Sequence, residues 1–374
     1  MREVGITPCA QYENEKVLQS VRELVGKLGG MEQFVRRGDK VVVKPNLIQK
    51  RRPDDAATTH PSVVRAVCIL AMEVGGVVTI AESPGGPYNK AILKNLYQTC
   101  GMTAIAQELG VKLNEDISFQ SIPYEAGTAV KGFDIISPIL EADVVISVSK
   151  LKTHVMSYMT GAVKNLFGCV PGTYKAEYHF RMPDKKTFCN MLVDLCECIQ
   201  PTLSIMDAVE CMEGNGPTSG SPRHAGYLLG SADPYALDVV ACKVAGLDME
   251  AVYILQNALE RGILTLEEVK ELGEYTPVQN FKEPGVKDIH FVKNPVLKKL
   301  AETLVNPRPV PDKNLCIGCG QCARSCPAQV IQMKEKLPQI DYSKCIKCFC
   351  CHELCPIKAM QLKRNKIWST ILRV

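Results

Sequence analysis

The 374-residue sequence has little of what nucleic-acid-binding and membrane proteins need. It contains one Trp and nine Phe, and its net charge is only +4, so neither a stacking platform nor a basic surface for nucleic acid is expected. It has no run of about 18 apolar residues, so no membrane span is predicted. The first residues, 1–5, lack an apolar signal region, and we therefore expect a cytoplasmic location. With 46% hydrophobic residues, the chain can form two or three domains with a sizeable core.

Cysteine, by contrast, is abundant, and its spacing is the most specific signal in the sequence. Eight of the 18 Cys fall into two runs near the C-terminus, each with the pattern Cys-x2-Cys-x2-Cys-x3-Cys-Pro. The runs are Cys316, Cys319, Cys322 and Cys326 before Pro327, and Cys345, Cys348, Cys351 and Cys355 before Pro356. This repeated motif resembles that of the bacterial two-cluster ferredoxins.

In such a motif the first three Cys of a run bind one [4Fe–4S] cluster, and the fourth crosses over to the other cluster. The expected ligand sets are Cys316, Cys319, Cys322 and Cys355 for one cluster, and Cys345, Cys348, Cys351 and Cys326 for the other. Two zinc sites or a disulfide framework are the alternatives. Zinc, however, does not need a third Cys at spacing three followed by Cys-Pro in both halves. We therefore predict two [4Fe–4S] clusters.

The repeat extends beyond the cysteines, and each half predicts a strand, a Cys loop, a short helix and a second strand. Residues 312–364 thus form a small α+β ferredoxin-like domain. Nine Lys and Arg against four Asp and Glu in this segment offset the charge of anionic clusters. Cys350 lies outside the motif and is interpreted as a bystander. The remaining Cys are predicted to be reduced cytosolic thiols, and their number beside oxygen-sensitive clusters suggests an anaerobe.

Residues 1–305 predict an α/β domain with a mostly parallel sheet flanked by helices. Continuous apolar runs at 40–44, 77–81 and 142–148 are typical of strands that are buried on both faces. An amphipathic helix with helical apolar spacing separates the first of these runs from a short N-terminal strand.

Polar residues follow the first buried strand. Lys44 and Asn46 stand at its carboxyl end, where ligands bind in open α/β sheets. A loop then leads to a helix predicted at 62–74, which Thr59 is expected to cap. His60 has two interpretations, as a residue of this capping region or as a residue of the site.

Basic residues crowd together after the third buried strand. Lys150, Lys152, His154 and Lys164 lie in a segment rich in small residues, and no carboxylate neighbours them in sequence. A solvated helix would intersperse opposite charges, so the segment predicts a pocket for an anionic ligand, with Asn165 as an orienting amide. We predict Lys152, His154 and Lys164 as catalytic residues. His154 is a candidate proton carrier or metal ligand, or else a structural residue.

Two glycine-rich turns are further candidates. The turn at 82–87 either presents backbone N–H groups to an anion or is an ordinary connection between a strand and a helix. A strand predicted at 202–209 leads into a second loop, and Asp207, Glu213 and Asn215 in this stretch can hold a metal or a ligand hydroxyl. The predicted cofactor-binding residues are therefore Lys44, Asn46, His60, Asn165, Glu213 and Asn215.

The rest of the α/β domain predicts a strand at 226–230 and helices at 234–246 and 249–272. Pro-rich residues 306–311 predict a stiff, extended linker to the ferredoxin domain. Residues 365–374 form a C-terminal tail that can dock back on the larger domain.

Taken together, these motifs resemble the uncharacterised domain-of-unknown-function 362 family, often fused to a two-cluster ferredoxin. The resemblance rests on Lys44-Pro45-Asn46, Thr59-His60-Pro61, the segments 150–154, 161–168 and 213–217, and Asp233-Pro234 through Asp238. It implies no particular reaction. The stretch 161–172 is also distantly similar to the segment of lactate-racemase-type enzymes that holds a nickel-pincer nucleotide through a Lys. The several spaced His of that site are missing from this sequence, which argues against nickel and racemisation.

Three functions are compatible with these residues. The first is an iron–sulfur oxidoreductase, in which a soluble electron donor or acceptor protein exchanges electrons through the two clusters with a small-molecule substrate or an unidentified second cofactor in the basic pocket. The fusion of a redox module to a polar pocket favours this hypothesis. The second is an electron-transfer subunit that docks a partner enzyme. The third is a non-redox enzyme with structural or sensory clusters.

Overall fold

Helices and strands alternate along the chain in a computed structural model that describes residues 1–286 and 306–364. Helices α1–α12 are Asn14–Lys27, Pro61–Glu73, Lys90–Thr99, Met102–Leu109, Ser137–Leu140, Ala162–Asn165, Tyr174–Arg181, Lys185–Ile199, Pro234–Ala245, Tyr253–Glu260, Gln321–Arg324 and Cys350–Glu353. Strands β1–β8 are Arg2–Pro8, Lys40–Pro45, Val77–Ile80, Lys112–Leu113, Phe119–Pro123, Gly132–Ile136, Val144–His154 and Tyr158–Thr160. Strands β9–β15 are Leu203–Glu213, Ser221–Ser231, Val269–Leu272, Arg308–Pro311, Ile331–Lys334, Leu337–Ile340 and Met360–Lys363. The predicted tail at 365–374 and residues 287–305 of the predicted α/β domain lie outside the described residues.

A mixed, mostly parallel sheet flanked by helices forms the large domain, as the sequence predicts. Its strand order is β11-β1-β10-β9-β7-β2-β3-β4, with β8 paired to β7. The strands from β9 to β4 run parallel, whereas β10 is antiparallel to both of its neighbours. Alternate residues of β2 enter different cores, Val42 on one face of the sheet and Val41 and Val43 on the other. The continuous apolar run of β2 therefore reflects burial on both faces.

The C-terminal module is small and built from two similar halves. Strand β12 pairs with β15 and β13 pairs with β14, both antiparallel. Each half consists of a strand, a Cys loop, the short helix α11 or α12, and a second strand, which is the order that the repeat predicts. Residues 308–311, predicted as linker, are extended but form β12. They therefore belong to the module rather than separating it from the larger domain.

Two local predictions are wrong. The helix predicted at 249–272 is broken: α10 ends at Glu260, Gly262 adopts a positive φ of 66°, and Val269–Leu272 form β11 beside β1. The cap of α2 is His60 rather than Thr59, because the His60 Nδ1 atom accepts from the Ser62 N–H at 3.2 Å. Thr59 instead donates to the Val148 carbonyl at 2.7 Å. No helix in the described ranges combines the length and apolar content of a membrane crossing.

Candidate functional site

The motif cysteines line two cavities in the C-terminal module. Cys316, Cys319, Cys322 and Cys355 line one cavity, and Cys326, Cys345, Cys348 and Cys351 line the other. The fold thus groups the thiols across the two runs in the crossed arrangement expected from the sequence. Apart from Gln321, the remaining lining residues carry no polar side chain. Four thiols in a largely apolar surrounding form a donor set that fits a [4Fe–4S] cluster.

The two thiol sets differ in exposure. Cys319 is exposed, whereas Cys348 and Cys351 are buried. One cavity therefore opens towards solvent, and the other is more enclosed.

In the α/β domain, strand β7 supplies most of the basic side chains. Lys150, Lys152 and His154 alternate along this strand, and all three are buried. Alternation places them on one face of the sheet. On neighbouring β2, Lys44 lies beside Ser147 of β7, which brings the carboxyl ends of the two strands together.

Asn165 links the residues at these strand ends. Its Oδ1 atom accepts from Lys44 Nζ and from Asn46 Nδ2, both at 3.2 Å. Its amide nitrogen donates to Ser147 Oγ at 2.9 Å. Asn165 therefore orients the side chains around it, and its role as an orienting amide for a bound ligand stays a prediction.

Two of the buried lysines have carboxylate partners that are distant in sequence. Lys44 Nζ lies 2.8 Å from Glu82 Oε2, and Lys150 Nζ lies 2.9 Å from Asp207 Oδ2. Tyr12 completes the second pair, since its hydroxyl donates to Asp207 at 2.7 Å and accepts from Lys150 at 2.8 Å. Lys44 and Lys150 thus have no acidic neighbour in the sequence, but the fold brings a carboxylate to each of them.

Lys152 and Lys164 have no such partner: no described carboxylate lies within 4.0 Å of either ammonium group. Lys152 Nζ donates to Asn46 Oδ1 at 2.7 Å and to the Ala57 carbonyl at 2.5 Å. Burial, together with the nearby lysines, lowers the pKa of Lys152 to about 7. Lys164 Nζ stands 5.2 Å from the centre of the Phe167 ring, and burial lowers its pKa as well. Neither group has an ion-pair partner in the described ranges, and Glu353 is the nearby negative charge that favours the protonated form of both.

His154 faces the C-terminal module. Its Nδ1 atom accepts from the Met156 and Ser157 N–H groups at 3.0 and 3.3 Å, so the neutral ring carries its proton on Nε2. That Nε2 atom is buried, has no hydrogen-bond partner in the described ranges, and lies 3.5 Å from Glu353 Oε2. Burial and Lys164 lower the pKa of His154 to about 4, which leaves the ring neutral at pH 7.

Glu353 stands in α12, two residues after Cys351, and points into the α/β domain. Burial alone would raise the pKa of Glu353, but the His154 Nε2–H group that faces it and the Lys164 ammonium hold it well below its usual range. An anionic carboxylate from the cluster module therefore sits beside the predicted catalytic residues of the large domain.

Of the other three predicted cofactor-binding residues, His60 lies beside the Lys150–Asp207 pair, because its N–H donates to Asp207 Oδ2 at 2.9 Å, whereas Glu213 and Asn215 are held by other segments of the chain. His60 caps α2 and stacks on Tyr12, with ring centroids 3.6 Å apart. Glu213 accepts from the Lys282 N–H at 3.1 Å, and Asn215 accepts from the Gly285 N–H at 2.9 Å. Each of the three is engaged locally. In the turn at 82–87, the Ser83 and Gly85 N–H groups donate to the carbonyls of Gly168 and Ile48, so the turn is an ordinary connection at these positions.

Sequence reasoning did not identify two acidic residues of the site, Glu82 and Glu353, and gave no role to Asp238. Glu82 lies two residues after β3, in the glycine-rich turn, and Glu353 lies between the motif cysteines Cys351 and Cys355. Asp238 accepts from the Ala162 N–H at 2.6 Å and the Val163 N–H at 3.2 Å, which caps the helix that carries Lys164. The position of Glu82 just after a strand is a sequence signal for a site residue, because ligands bind at the carboxyl ends of strands in open α/β sheets.

Side chains of the α/β domain donate hydrogen bonds to the backbone of the second Cys run. Arg51 donates to the carbonyls of Cys355 and Pro356 at 2.8 and 3.0 Å. Gln49 and Thr218 both donate to the Glu353 carbonyl at 2.8 Å. Phe349 packs with Val155 and Val286 in a small apolar cluster. The cluster module is thus seated on the large domain beside the residues of β7.

A cavity of about 150 Å³ lies between the two parts. Phe167, Lys175 and His179 contribute to its wall from the large domain, and Cys326 and Glu353 contribute from the module. A cysteine of the enclosed thiol set therefore shares a cavity with polar side chains of the α/β domain.

Comparisons with known proteins agree with this division. Residues 41–243 match the family described as domain of unknown function (DUF362), and residues 308–356 match the 4Fe-4S dicluster domain. The second match supports 4Fe–4S binding and an iron–sulfur electron-transfer role for the C-terminal module.

Among relatives, a thylakoid-associated protein of Synechocystis sp. is 37% identical over 250 residues, which are 66% of this chain and 76% of that protein. The lactate racemase apoprotein of Thermoanaerobacterium thermosaccharolyticum is 10% identical with a TM-score of 0.39, over 66% of this chain and 57% of that one. A protein of Thermotoga maritima is 15% identical with a TM-score of 0.38, over 63% and 59%. The chain thus spans less than two thirds of both solved structures, and neither likeness is close enough to indicate a function.

Proposed function

Because this chain belongs to the family described as domain of unknown function (DUF362) and carries a 4Fe-4S dicluster module, we propose that it is an iron–sulfur oxidoreductase. Its two [4Fe–4S] clusters are bound by Cys316, Cys319, Cys322 and Cys355, and by Cys345, Cys348, Cys351 and Cys326. When bound, they relay single electrons from a soluble donor protein to an acceptor held against the α/β domain.

The contact between Glu353 and His154 is the observation that carries this proposal. Glu353 follows the thiol ligand Cys351 by two residues, and its carboxylate lies 3.5 Å from His154 Nε2. The more enclosed cluster site and the basic residues of β7 are therefore neighbours. A module that served only to dock a partner would not need its ligand loop buried against a polar site.

The basic side chains have defined roles in this proposal. An acceptor becomes more negative as it gains an electron, and fixed positive charge in a buried site stabilises that state. Lys164, and Lys152 in its protonated form, supply such charge without an ion pair in the described ranges, with Glu353 as the nearby carboxylate. The His154 Nε2–H group is placed to donate a hydrogen bond, and Asn46 holds Lys152 in position.

Reoxidation of the reduced clusters tests the proposal. Anaerobically purified full-length protein is reduced with dithionite and mixed with fractions of a small-molecule extract, and cluster absorbance is followed. We expect at least one fraction to reoxidise the wild type, and Lys164→Gln to slow this step by about a hundredfold, the effect of removing one preorganised donor. Lys334→Gln, at an exposed position in β13, serves as the matched control.

The iron content of each variant is measured as well, because it shows whether slower reoxidation results from missing clusters or from a damaged acceptor site. Equal reoxidation rates in Lys164→Gln and the wild type would refute the assignment of the site. Reoxidation by protein fractions alone would instead support an electron-transfer subunit. One feature favours that second candidate: Leu315 and Ile317, 48% and 65% exposed, flank the Cys316 loop and give it an apolar docking surface.

A further inference from the structure

The cavity between the two parts has the size of a small ring. Its volume is about 150 Å³, comparable to a cavity of about 150 Å³ that binds benzene. Phe167 and Ala176 on one side, and Pro327 and Leu354 on the other, give it apolar walls. A flat, uncharged body is therefore compatible with most of its surface.

Charge is distributed unevenly around the cavity. Arg324 lines it and is exposed; its guanidinium donates to Gln321 Oε1 at 3.1 Å, and no carboxylate in the described parts of the chain lies within 4.0 Å of it. Lys164, only 8% exposed, stands behind the Phe167 ring. The one carboxylate in the wall, Glu353, faces His154.

The other two basic side chains of the wall, Lys175 and His179, are already engaged. Lys175 donates to the carbonyls of Val170 and Ser83 at 2.6 and 2.8 Å. His179 lies with its Nδ1 atom 3.2 Å from Met156 Sδ, and burial lowers its pKa to about 3, so its ring is neutral. Arg324 is thus the cation of the wall that is open to a ligand, and a guanidinium fork matches a carboxylate.

We propose that this cavity binds a ring-sized monocarboxylate, with the ring between Phe167 and Leu354 and the carboxylate on Arg324. The inference rests on the proposed function, because Cys326 in the wall places the ring beside a cluster site. It assigns the acceptor to a chemical class, that of small cyclic or aromatic carboxylates.

Three probes of one shape test the inference: benzoate, its neutral amide benzamide, and the cation benzylamine. Binding to the anaerobic full-length holoprotein is measured by calorimetry. We expect benzoate to bind at least about tenfold more tightly than benzamide, as a hydrogen-bonded charge pair requires, and benzylamine not to bind. Arg324→Gln should reduce benzoate to the affinity of benzamide, while iron content stays unchanged.

A second variant tests whether benzoate binds in the cavity itself, rather than at another place that the Arg324 substitution alters indirectly. Ala176→Trp fills the cavity from α7 and should abolish binding of both benzoate and benzamide, whereas Lys334→Gln should bind both normally. Benzoate binding that survives Ala176→Trp, or equal affinities for the three probes, would overturn the inference. If benzoate binds as expected but no acceptor reoxidises the clusters, the binding site stands and the proposed redox function fails.

Discussion

At the scale of single residues, the buried lysines of the α/β domain are of two kinds. Lys44 and Lys150 are ion-paired with Glu82 and Asp207, and breaking such a buried pair costs about 3–5 kcal/mol because the remaining charge is orphaned. Lys152 has only neutral oxygen partners, although it is fully buried. A charge held in this way opposes folding, and perturbed groups of this type cluster at functional sites.

Substitution Lys152→Met should change how stability depends on pH. The folded pKa of Lys152 is about 7, and the unfolded value is about 10.4. Between these values the unfolded chain binds more protons than the folded one, so this group makes stability rise with pH. Relative to the variant, the wild type should gain about 1.4 kcal/mol per pH unit across this window. Anaerobic urea unfolding at several pH values measures the difference.

Lys16→Met provides the control for this series, because Lys16 is exposed and pairs only with Glu13 on the surface. Its difference from the wild type should stay constant with pH. Parallel curves for the wild type and Lys152→Met would show that Lys152 keeps an ordinary pKa in the folded protein.

At the scale of elements, periodicity predicted those parts of the fold that depend on local pattern. The buried strands β2, β3 and β7 follow from apolar runs, and α1 follows from helical spacing. Strand β11 was missed because its partner β1 lies at the other end of the chain, so its structure depends on tertiary pairing. The same distinction applies to the candidate site. The basic residues of β7 are close together in the sequence and can be predicted from it, whereas Glu353 is distant in sequence and comes close to them only in the folded protein.

The short helix α6 depends on a cap from a different element. Asp238 of α9 accepts from the Ala162 and Val163 N–H groups, and it thereby holds the helix that carries Lys164 and Asn165. Asp238→Ala leaves these buried N–H groups unpaired and should lower the free energy of unfolding by about 1–3 kcal/mol. Chemical denaturation measures the loss.

Asp248→Ala is the matched comparison for this cap. Asp248 also accepts an N–H bond, from Glu250 at 2.9 Å, but it is exposed, so its loss should cost only a few tenths of a kcal/mol. Similar losses in the two variants would contradict a special role for Asp238.

At the scale of the whole molecule, the large domain places a cation against the cluster module. Arg51 is 6% exposed, its Nε atom has no partner in the described ranges, and its other nitrogens donate to the carbonyls of Cys355 and Pro356. A nearby positive charge stabilises the more negative, reduced form of a cluster. We therefore expect the α/β domain to influence the redox behaviour of the module that it holds.

Arg51→Gln should lower the reduction potential of the cluster that Cys355 binds and leave the other cluster less affected, because the positive charge is removed while a hydrogen-bond donor is kept. Redox titration followed by electron paramagnetic resonance measures both potentials. Arg51→Lys should retain most of the wild-type value, and Lys50→Gln, at an exposed neighbouring position, should not change it. Unchanged potentials in Arg51→Gln would show that the arginine acts only as a structural contact.

The hydrogen bonds that hold the module on the large domain include several to main-chain carbonyl oxygens. Gln49, Arg51 and Thr218 all donate to carbonyl oxygens of residues 353–356, and every amino acid supplies such an oxygen. Surface side chains of the module can therefore diverge during evolution without loss of docking, provided that the Cys loop keeps its path. A ferredoxin module with identical Cys spacing should therefore dock on this α/β domain if it also keeps the Phe349 and Glu353 side chains, which contact Val155 and His154.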